Sequence, residues 1–246
     1  MDPQRCLIAS VAVCASLLAG CATAPQVGAG DPLEPVNRKV DTFNRDLDHA
    51  TLRPLATAYE RAVPSVIRTG VSNVLGNVGD VWSAANSLLQ LKLVDAVQDT
   101  MRVAVNTVFG LGGMFDIATA AGIDRHKQDF GATLGRWGMA SGPYVVLPLF
   151  GPRTLRDAMA LPVDWWGDPF RQLSPIMSRN LALGSSAVNA RGQMLPLDPV
   201  LDGALDPYTF MRDAYLQHRN AEVYGETDGG EVPPADGELA LVPAQE

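Results

Sequence analysis

Several things are scarce in this 246-residue chain, and each shortage removes a class of protein. Its three cysteines, Cys6, Cys14 and Cys21, all lie in the first 21 residues, so no disulfide framework can hold the body together. Stability therefore has to come from packing, and about 200 residues suffice for a sizeable core. Its three histidines, His49, His126 and His218, are far apart and sit among charged or polar neighbours. His126 and Asp129 share i, i+3 spacing, but two ligands do not define a metal site, and the three are read as solvated loop residues. There is no G-x-S-x-G elbow, no H-E-x-x-H helix and no C-x-x-C pair, which leaves an enzyme reading little to stand on. Gly110-Leu111-Gly112-Gly113-Met114-Phe115 starts like a dinucleotide fingerprint, but Phe115 stands where glycine is required and a helical stripe precedes it. After residue 21 no run of 18 apolar residues occurs, so no spanning helix is expected.

Basic charge is also in short supply. The formal net charge is −8, yet seven of the acids fall in residues 222–246, which hold no Lys or Arg. Without that segment, and without Asp2 and Arg5, 18 basic side chains face 19 acidic ones. A nearly neutral body offers no face for nucleic acid. Residues 222–246, with Gly229-Gly230 and Pro233-Pro234, read as an acidic disordered tail.

The N-terminal segment is more specific. Arg5 precedes an apolar stretch from Cys6 to Ala19, a length that suits a secretory h-region and is too short to span a bilayer. Leu18-Ala19-Gly20-Cys21 resembles the lipobox of bacterial lipoproteins. That resemblance implies a signal peptide at 1–20 and a mature chain that begins at Cys21, which carries a diacylglyceryl group on sulfur and an acyl group on its amine. Ala22 after the cysteine, where an aspartate would otherwise stand, fits sorting to the outer membrane of a Gram-negative bacterium. Residues 21–30 read as a flexible tether that reaches at most about 35 Å, so the body stays against the membrane, facing the periplasm.

From Asp31 the spacing is helical. Val36, Val40, Phe43, Leu47 and Thr51 form one stripe, and Val94, Val97, Met101, Val105 and Val108 another. Four Asp-Pro pairs, at Asp31, Asp168, Asp198 and Asp206, offer an N-cap acceptor followed by a residue preset for the first helical turn, and Ser174-Pro175 launches a further helix toward Arg191. Alternating strand patterns are nearly absent, so the fold class is all-α. One region departs from this. Residues 110–151 hold nine of the 23 glycines, and Tyr144 to Phe150 is an apolar run bounded by Gly142-Pro143 and Gly151-Pro152. It reads either as a buried strand or as an apolar hairpin touching lipid. Trp165-Trp166 reads as an interfacial anchor or as core packing. Arg125-His126-Lys127 reads as a surface charge cluster or a contact for lipid head groups.

Asp31-Pro32-Leu33-Glu34-Pro35-Val36-Asn37-Arg38 resembles the opening of the MlaA (VacJ) family of outer-membrane lipoproteins. The likeness continues through Phe43-Asn44, Ile67-Arg68-Thr69-Gly70-Val71-Ser72-Asn73, Asn86-Ser87-Leu88-Leu89-Gln90 and Val105-Asn106-Thr107-Val108-Phe109-Gly110. Most specific are Asp129-Phe130-Gly131-Ala132-Thr133-Leu134-Gly135, leading to Gly142-Pro143-Tyr144, and Asp206-Pro207-Tyr208 with Arg212-Asp213-Ala214-Tyr215. Coverage runs from 31 to 221. Pro35 and Val36 depart from the family's usual residues there.

The resemblance implies an all-α, ring-like body over 31–221, sunk into one leaflet of the outer membrane, with a glycine-rich loop or hairpin around 130–151. It implies removal of mislocalised phospholipids from the outer leaflet through a polar channel, and delivery to a soluble periplasmic carrier of the MlaC type. It also implies association with trimeric porins, and no cofactor beyond the lipid on Cys21. Amphipathic helices suit such a task if their polar faces turn inward and their apolar faces meet lipid. Near-neutral charge would give little bias among lipid head groups. Carried over residue by residue, Phe43 and Asn44 fall where the family is sensitive to changes that loosen control of the passage. Asn44 would face head groups while Phe43 anchors the helix, or both are ordinary packing residues. Gly131, Gly135, Gly142, Pro143 and Tyr144 match the glycine-rich segment near the pore, where they either line the conduit and flex or form a turn that serves the fold alone. A structural or porin-associated lipoprotein without transport, or an envelope lipid hydrolase, are the alternatives.

Overall fold

The computed structural model describes residues 31–225. The expectations for the signal peptide, for Cys21 and its tether, and for residues 226–246 lie outside the described residues. The last helix runs to Tyr224, past the boundary expected at 221.

The described chain is helical apart from one hairpin, as the spacing predicts. Its elements are α1 (Glu34–Leu47), a π-helical segment (Asp48–Leu52), α2 (Arg53–Ala62), α3 (Ser65–Leu89), α4 (Leu93–Val108), a single turn α5 (Ile117–Ala120) and α6 (Phe130–Arg136). Strands β1 (Tyr144–Leu147) and β2 (Gly151–Thr154) then pair antiparallel, Tyr144 opposite Thr154 and Leu147 opposite Gly151. Next come α7 (Leu155–Gly167), a 3-10 turn (Pro169–Gln172), α8 (Ile176–Met194), a second 3-10 turn (Leu195–Leu197), α9 (Asp198–Asp202) and α10 (Pro207–Tyr224).

From α1 to α2 the helix is continuous. Leu47, Leu52 and Arg53 all keep right-handed helical angles, and the Arg53 N–H reaches back five residues to the Asp48 carbonyl. The reason is Pro54, which has no N–H to give and whose ring would strike the carbonyl four residues earlier. Widening the turn before it to π geometry removes that clash.

Asp206 caps α10 by accepting from the Tyr208 and Thr209 amides, and Asp168 caps the 3-10 turn at Phe170. Asp31 accepts instead from the Leu33 amide, in the turn before α1. Asp198 does not cap at all; its carboxylate takes Arg53 and Arg191.

Packing contacts between neighbours close a circuit. α3 meets α6, α6 meets α10, and α10 meets the hairpin. The hairpin meets α1, α2 meets α8, and α8 returns to α3. Within it the usual order of burial is reversed. Among the described residues the buried set holds ten apolar side chains, half of them alanines, against seventeen polar or charged ones. On α3 the buried positions include Asn77, Asp80, Ser83, Asn86 and Ser87, and on α4 Ala96, Asp99, Arg102 and Asn106. These positions recur at helical spacing, so each helix turns a polar stripe inward. The apolar stripe of α4 faces out, with Val94 70% and Val108 68% exposed. Among the described residues the buried apolar cluster is small, with Tyr144, Val146 and Tyr208 packed by Val40, Tyr215 and Leu216.

Candidate functional site

On α1, Asn37 and Asn44 are two turns apart and share a face. The Asn37 amide donates from Nδ2 to the Tyr144 carbonyl and accepts at Oδ1 from the Val146 amide, both at 2.9 Å. Asn44 repeats the pattern further along, donating to the Leu147 carbonyl at 2.9 Å and accepting from the Leu149 amide at 2.8 Å. Two side chains thus do for the free edge of β1 what a third strand would do. They satisfy backbone groups that are costly to leave bare. The turn they hold contains Leu149 at φ +69°, a left-handed angle unusual for leucine. Leu149 and Phe150 point outward from it, so the Tyr144–Phe150 run is both a buried strand and an exposed apolar tip.

The residues expected at the site fall into three places. Asn44 and Tyr144 meet through the hairpin, where the Tyr144 ring lies 6.1 Å from both Tyr208 and Tyr215. Gly142 (φ +68°) and Pro143 form the hairpin's base, and the Pro143 carbonyl accepts from the Leu155 amide at 2.9 Å. Gly131 and Gly135 lie on α6, packed against charged groups. A Cβ at Gly131 would stand 2.5 Å from Asp157 Oδ1, and one at Gly135 2.5 Å from Arg156 Nη1. Phe43 is 53% exposed on the outer side of α1.

A polar cavity of about 270 Å³ opens beside the end of α1. Arg45 and Asp46 of α1, Asp48 and His49 of the π segment, Arg53, Arg191 and Asp198 line it. Arg191 grips Asp48 through Nε and Nη2 at 2.8 and 2.9 Å and reaches Asp198 at 2.9 Å. Arg53 Nε pairs with Asp198 at 2.9 Å. The sequence reading singled out none of these for the site. Arg191–Asp48 and Arg53–Asp198 each join residues some 140 positions apart in sequence, and only the charge on the polar face of α1 hinted at them.

A second polar network joins α3 and α4. Buried Arg102 spans Asp116 (2.9 and 3.0 Å), Thr119 Oγ1 (3.0 Å) and the Ile123 carbonyl. Arg125 Nε pairs with buried Asp80 at 2.6 Å. Burial pushes the carboxyl of Asp80 up from the ordinary aspartate range against the pull of Arg125, and burial does the same to Asp99 against the His126 amide. The expectation of a solvated His126 is corrected. Its side chain is only 14% exposed, with Nδ1 3.5 Å from Asp99 Oδ1. Hydrogen bonds explain this, because segment 123–128 has no helix of its own and satisfies its backbone on the polar stripes beneath. His218 and His49 are exposed as expected but not in loops, since His218 lies on α10 and His49, which bonds Arg53, in the π segment. Trp165 packs 5.2 Å from Phe150 beneath Arg171, while Trp166 is 76% exposed.

A third cluster, on α6, α7 and α10, gathers around Asp157. It accepts from Tyr215 Oη at 2.8 Å, from Arg219 at 3.0 and 3.1 Å and from Arg156 Nε at 3.2 Å. Burial alone would raise its pKa, but the Arg219 charge and these bonds win and bring it down to about 2.

The family model described as MlaA lipoprotein matches residues 29–222. The chain belongs to the MlaA lipoprotein family. It is 33% identical over 241 residues to the intermembrane phospholipid transport system lipoprotein MlaA of Escherichia coli K12, covering 93% of this chain and 92% of that one. The protein of that name from Haemophilus influenzae is 33% identical over 222 residues, covering 84% and 86%. An uncharacterised protein of Rickettsia typhi is 36% identical over 200 residues, covering 78% of each. Among solved structures, one reported as the structural basis for maintenance of bacterial outer membrane lipid asymmetry superposes with a TM-score of 0.70 at 33% identity. The match covers 79% of this chain and 99% of that one. The mostly helical fold agrees with that neighbour.

Proposed function

We propose that this chain is an outer-membrane lipoprotein, anchored by acyl chains on Cys21, that takes mislocalised phospholipids from the outer leaflet. They pass through its polar interior to a soluble periplasmic carrier of the MlaC type, and trimeric porins hold the protein in place. The reversed burial order carries this reading. A lipid head group inside a protein needs polar partners, because unpaired burial costs several kcal/mol, on the order of 2–7 for a neutral group and more for a charge. A protein surface among acyl chains needs apolar side chains. This chain turns Asp, Asn, Gln and Arg inward and Leu, Val, Met and Phe outward.

Three leucines support the same reading. Leu91, Leu111 and Leu149 all have positive φ, where glycine or asparagine would sit with less strain, and all are at least two-thirds exposed. Leu91 and Leu111 flank the two ends of α4, whose apolar stripe joins them. A helix greasy at both ends and along one side suits lying in the plane of a leaflet. Among the described residues no helix is long and apolar enough to cross a membrane. Moving a lipid breaks no covalent bond, so the function asks for no catalytic residue. Asn44, which holds the hairpin tip from the same helix that lines the polar cavity, is the position we assign to control of the passage. Gly142, Pro143 and Tyr144 set the hairpin's base, and Gly131 and Gly135 let α6 close against α7 and α10.

The test is outer-leaflet phospholipid in a deletion strain complemented with wild type or with Asn44→Ala. The deletion should raise surface phospholipid, wild type should restore it, and the variant should differ from both. Unchanged surface phospholipid in a clean deletion would overturn the reading.

A further inference from the structure

A hollow larger than the polar cavity, and sharing no lining residue with it or with the hairpin, lies at the surface of the described body. It is a groove of about 600 Å³ between the first half of α3, the 114–116 turn and Ser185 of α8. That volume is in the range of about 300–1,000 Å³ that holds small-molecule ligands. Val71, Val74 and Leu75 of α3 line one side, and Met114 and Phe115 the other. Gly70 sets its width, because a Cβ there would stand 3.0 Å from Met114 Cγ and push that wall aside.

We propose that this groove seats one acyl chain of a bound phospholipid. The inference rests on the lipid-facing surface assigned above, and two observations select the occupant. First, the groove is continuous with exposed apolar side chains, from Val66 and Ile67 at its rim to Phe109 and Leu111 beyond Phe115. A hollow in a surface that meets hydrocarbon fills with hydrocarbon where its walls are mainly apolar, and here the apolar side chains outnumber Ser65, Thr69, Asn73, Asp116 and Ser185 in the lining. Second, the α3 wall is helix with its backbone bonds already made, and the Met114 carbonyl is taken by Asn73 Nδ2 at 3.0 Å. A peptide strand would find little to pair its own amides with, while an acyl chain needs no such partner.

At one end the groove meets Asp116, whose carboxylate is bound by buried Arg102 at 2.9 Å. An acyl chain seated here ends at the polar network that joins α3 and α4. The site thus places a lipid with its chain outside the body and its polar end against an entry to the interior.

The experiment uses the full lipidated chain reconstituted in vesicles of phosphatidylethanolamine and phosphatidylglycerol that carry a trace of phospholipid with a diazirine in one acyl chain. After irradiation, adducts are mapped by mass spectrometry. Groove residues should carry at least threefold more adduct per exposed side chain than the outer stripe of α4 at Val94 and Val97. Val71→Trp, which fills the hollow, should bring them to the level of that stripe while the α4 adducts persist. Leu75→Gln gives a second reading if the first variant fails to fold. Adducts spread evenly over the apolar surface would overturn the groove and leave the lipid-facing surface standing. Groove residues that stay unlabelled while the α4 stripe is labelled would also overturn it. Absence of adducts anywhere would instead overturn the proposed function.

Discussion

Asn44 and Leu149 are joined by a 2.8 Å hydrogen bond from the leucine amide to the asparagine Oδ1, and that bond fastens a left-handed residue at the tip of a hairpin. A helix side chain is doing the work of a turn. The hairpin's geometry is therefore set from α1, over a hundred residues away in sequence.

Asn44→Ala should leave the Leu147 carbonyl and the Leu149 amide without their partner. A loss of about 1–3 kcal/mol is expected if they stay dry, and less if water replaces the amide. Hydrogen exchange across 145–150 should speed up while exchange in α3 does not change. Equal protection in both proteins would show that the hairpin holds itself.

Leu149→Gly should move the other way in stability. It removes the strain of a left-handed leucine, worth about 1–2 kcal/mol, set against the added freedom of glycine in the unfolded chain. Thermal unfolding in detergent should hold or rise, while partition into vesicles falls with the lost apolar tip. A drop in both would mean that Leu149 packs the fold rather than serving the surface.

Two helical glycines should respond oppositely to alanine. At Gly131 the new Cβ meets Asp157 Oδ1 at 2.5 Å and Arg219 Nη2 at 2.8 Å, so Gly131→Ala should destabilise by several kcal/mol, at the high end of point changes. Gly184 lies in α8 with nothing within 4 Å of its would-be Cβ, and Gly184→Ala should stabilise by about 0.5–1 kcal/mol. Denaturant midpoints of the two variants check the pair.

Asp157 sets an acid limit. Its folded pKa of about 2 lies below the ordinary aspartate value of 3.8, so its contribution is complete above about pH 5. It is lost as pH falls through about 2. The shift amounts to about 2 kcal/mol. Unfolding midpoints should fall between pH 4 and pH 2 in wild type and less in Asp157→Asn. Identical pH slopes would remove Asp157 as the cause.

Element identity was legible where the pattern is local. The stripes of α1 and α4 and the caps at Asp168 and Asp206 follow from spacing alone. The hairpin was half legible, because a seven-residue apolar run does not say where it turns; Pro148 and the left-handed Leu149 decide that. What lay hidden was long-range. Asp198 looked like a cap and became a partner for Arg53 and Arg191, because the circuit of helices brings α9 beside α2. Likewise His126 looked solvated, since nothing in its neighbours reveals that Asp95 and Asp99 lie beneath it. Charged residues on a polar helix face read as solvent contacts until the fold shows that the polar face is the inner one.

The widened turn at Asp48–Leu52 has a consequence for registry. One surplus residue rotates everything after it by about 100° around the helix axis, given 3.6 residues per turn. That rotation lets a single rod address the hairpin with its first half and α8 with its second. Removing any one residue there would rewind the rod evenly and swing Arg53 off Asp198, so chain length in this stretch is a counted quantity, as strict as a tooth on a gear.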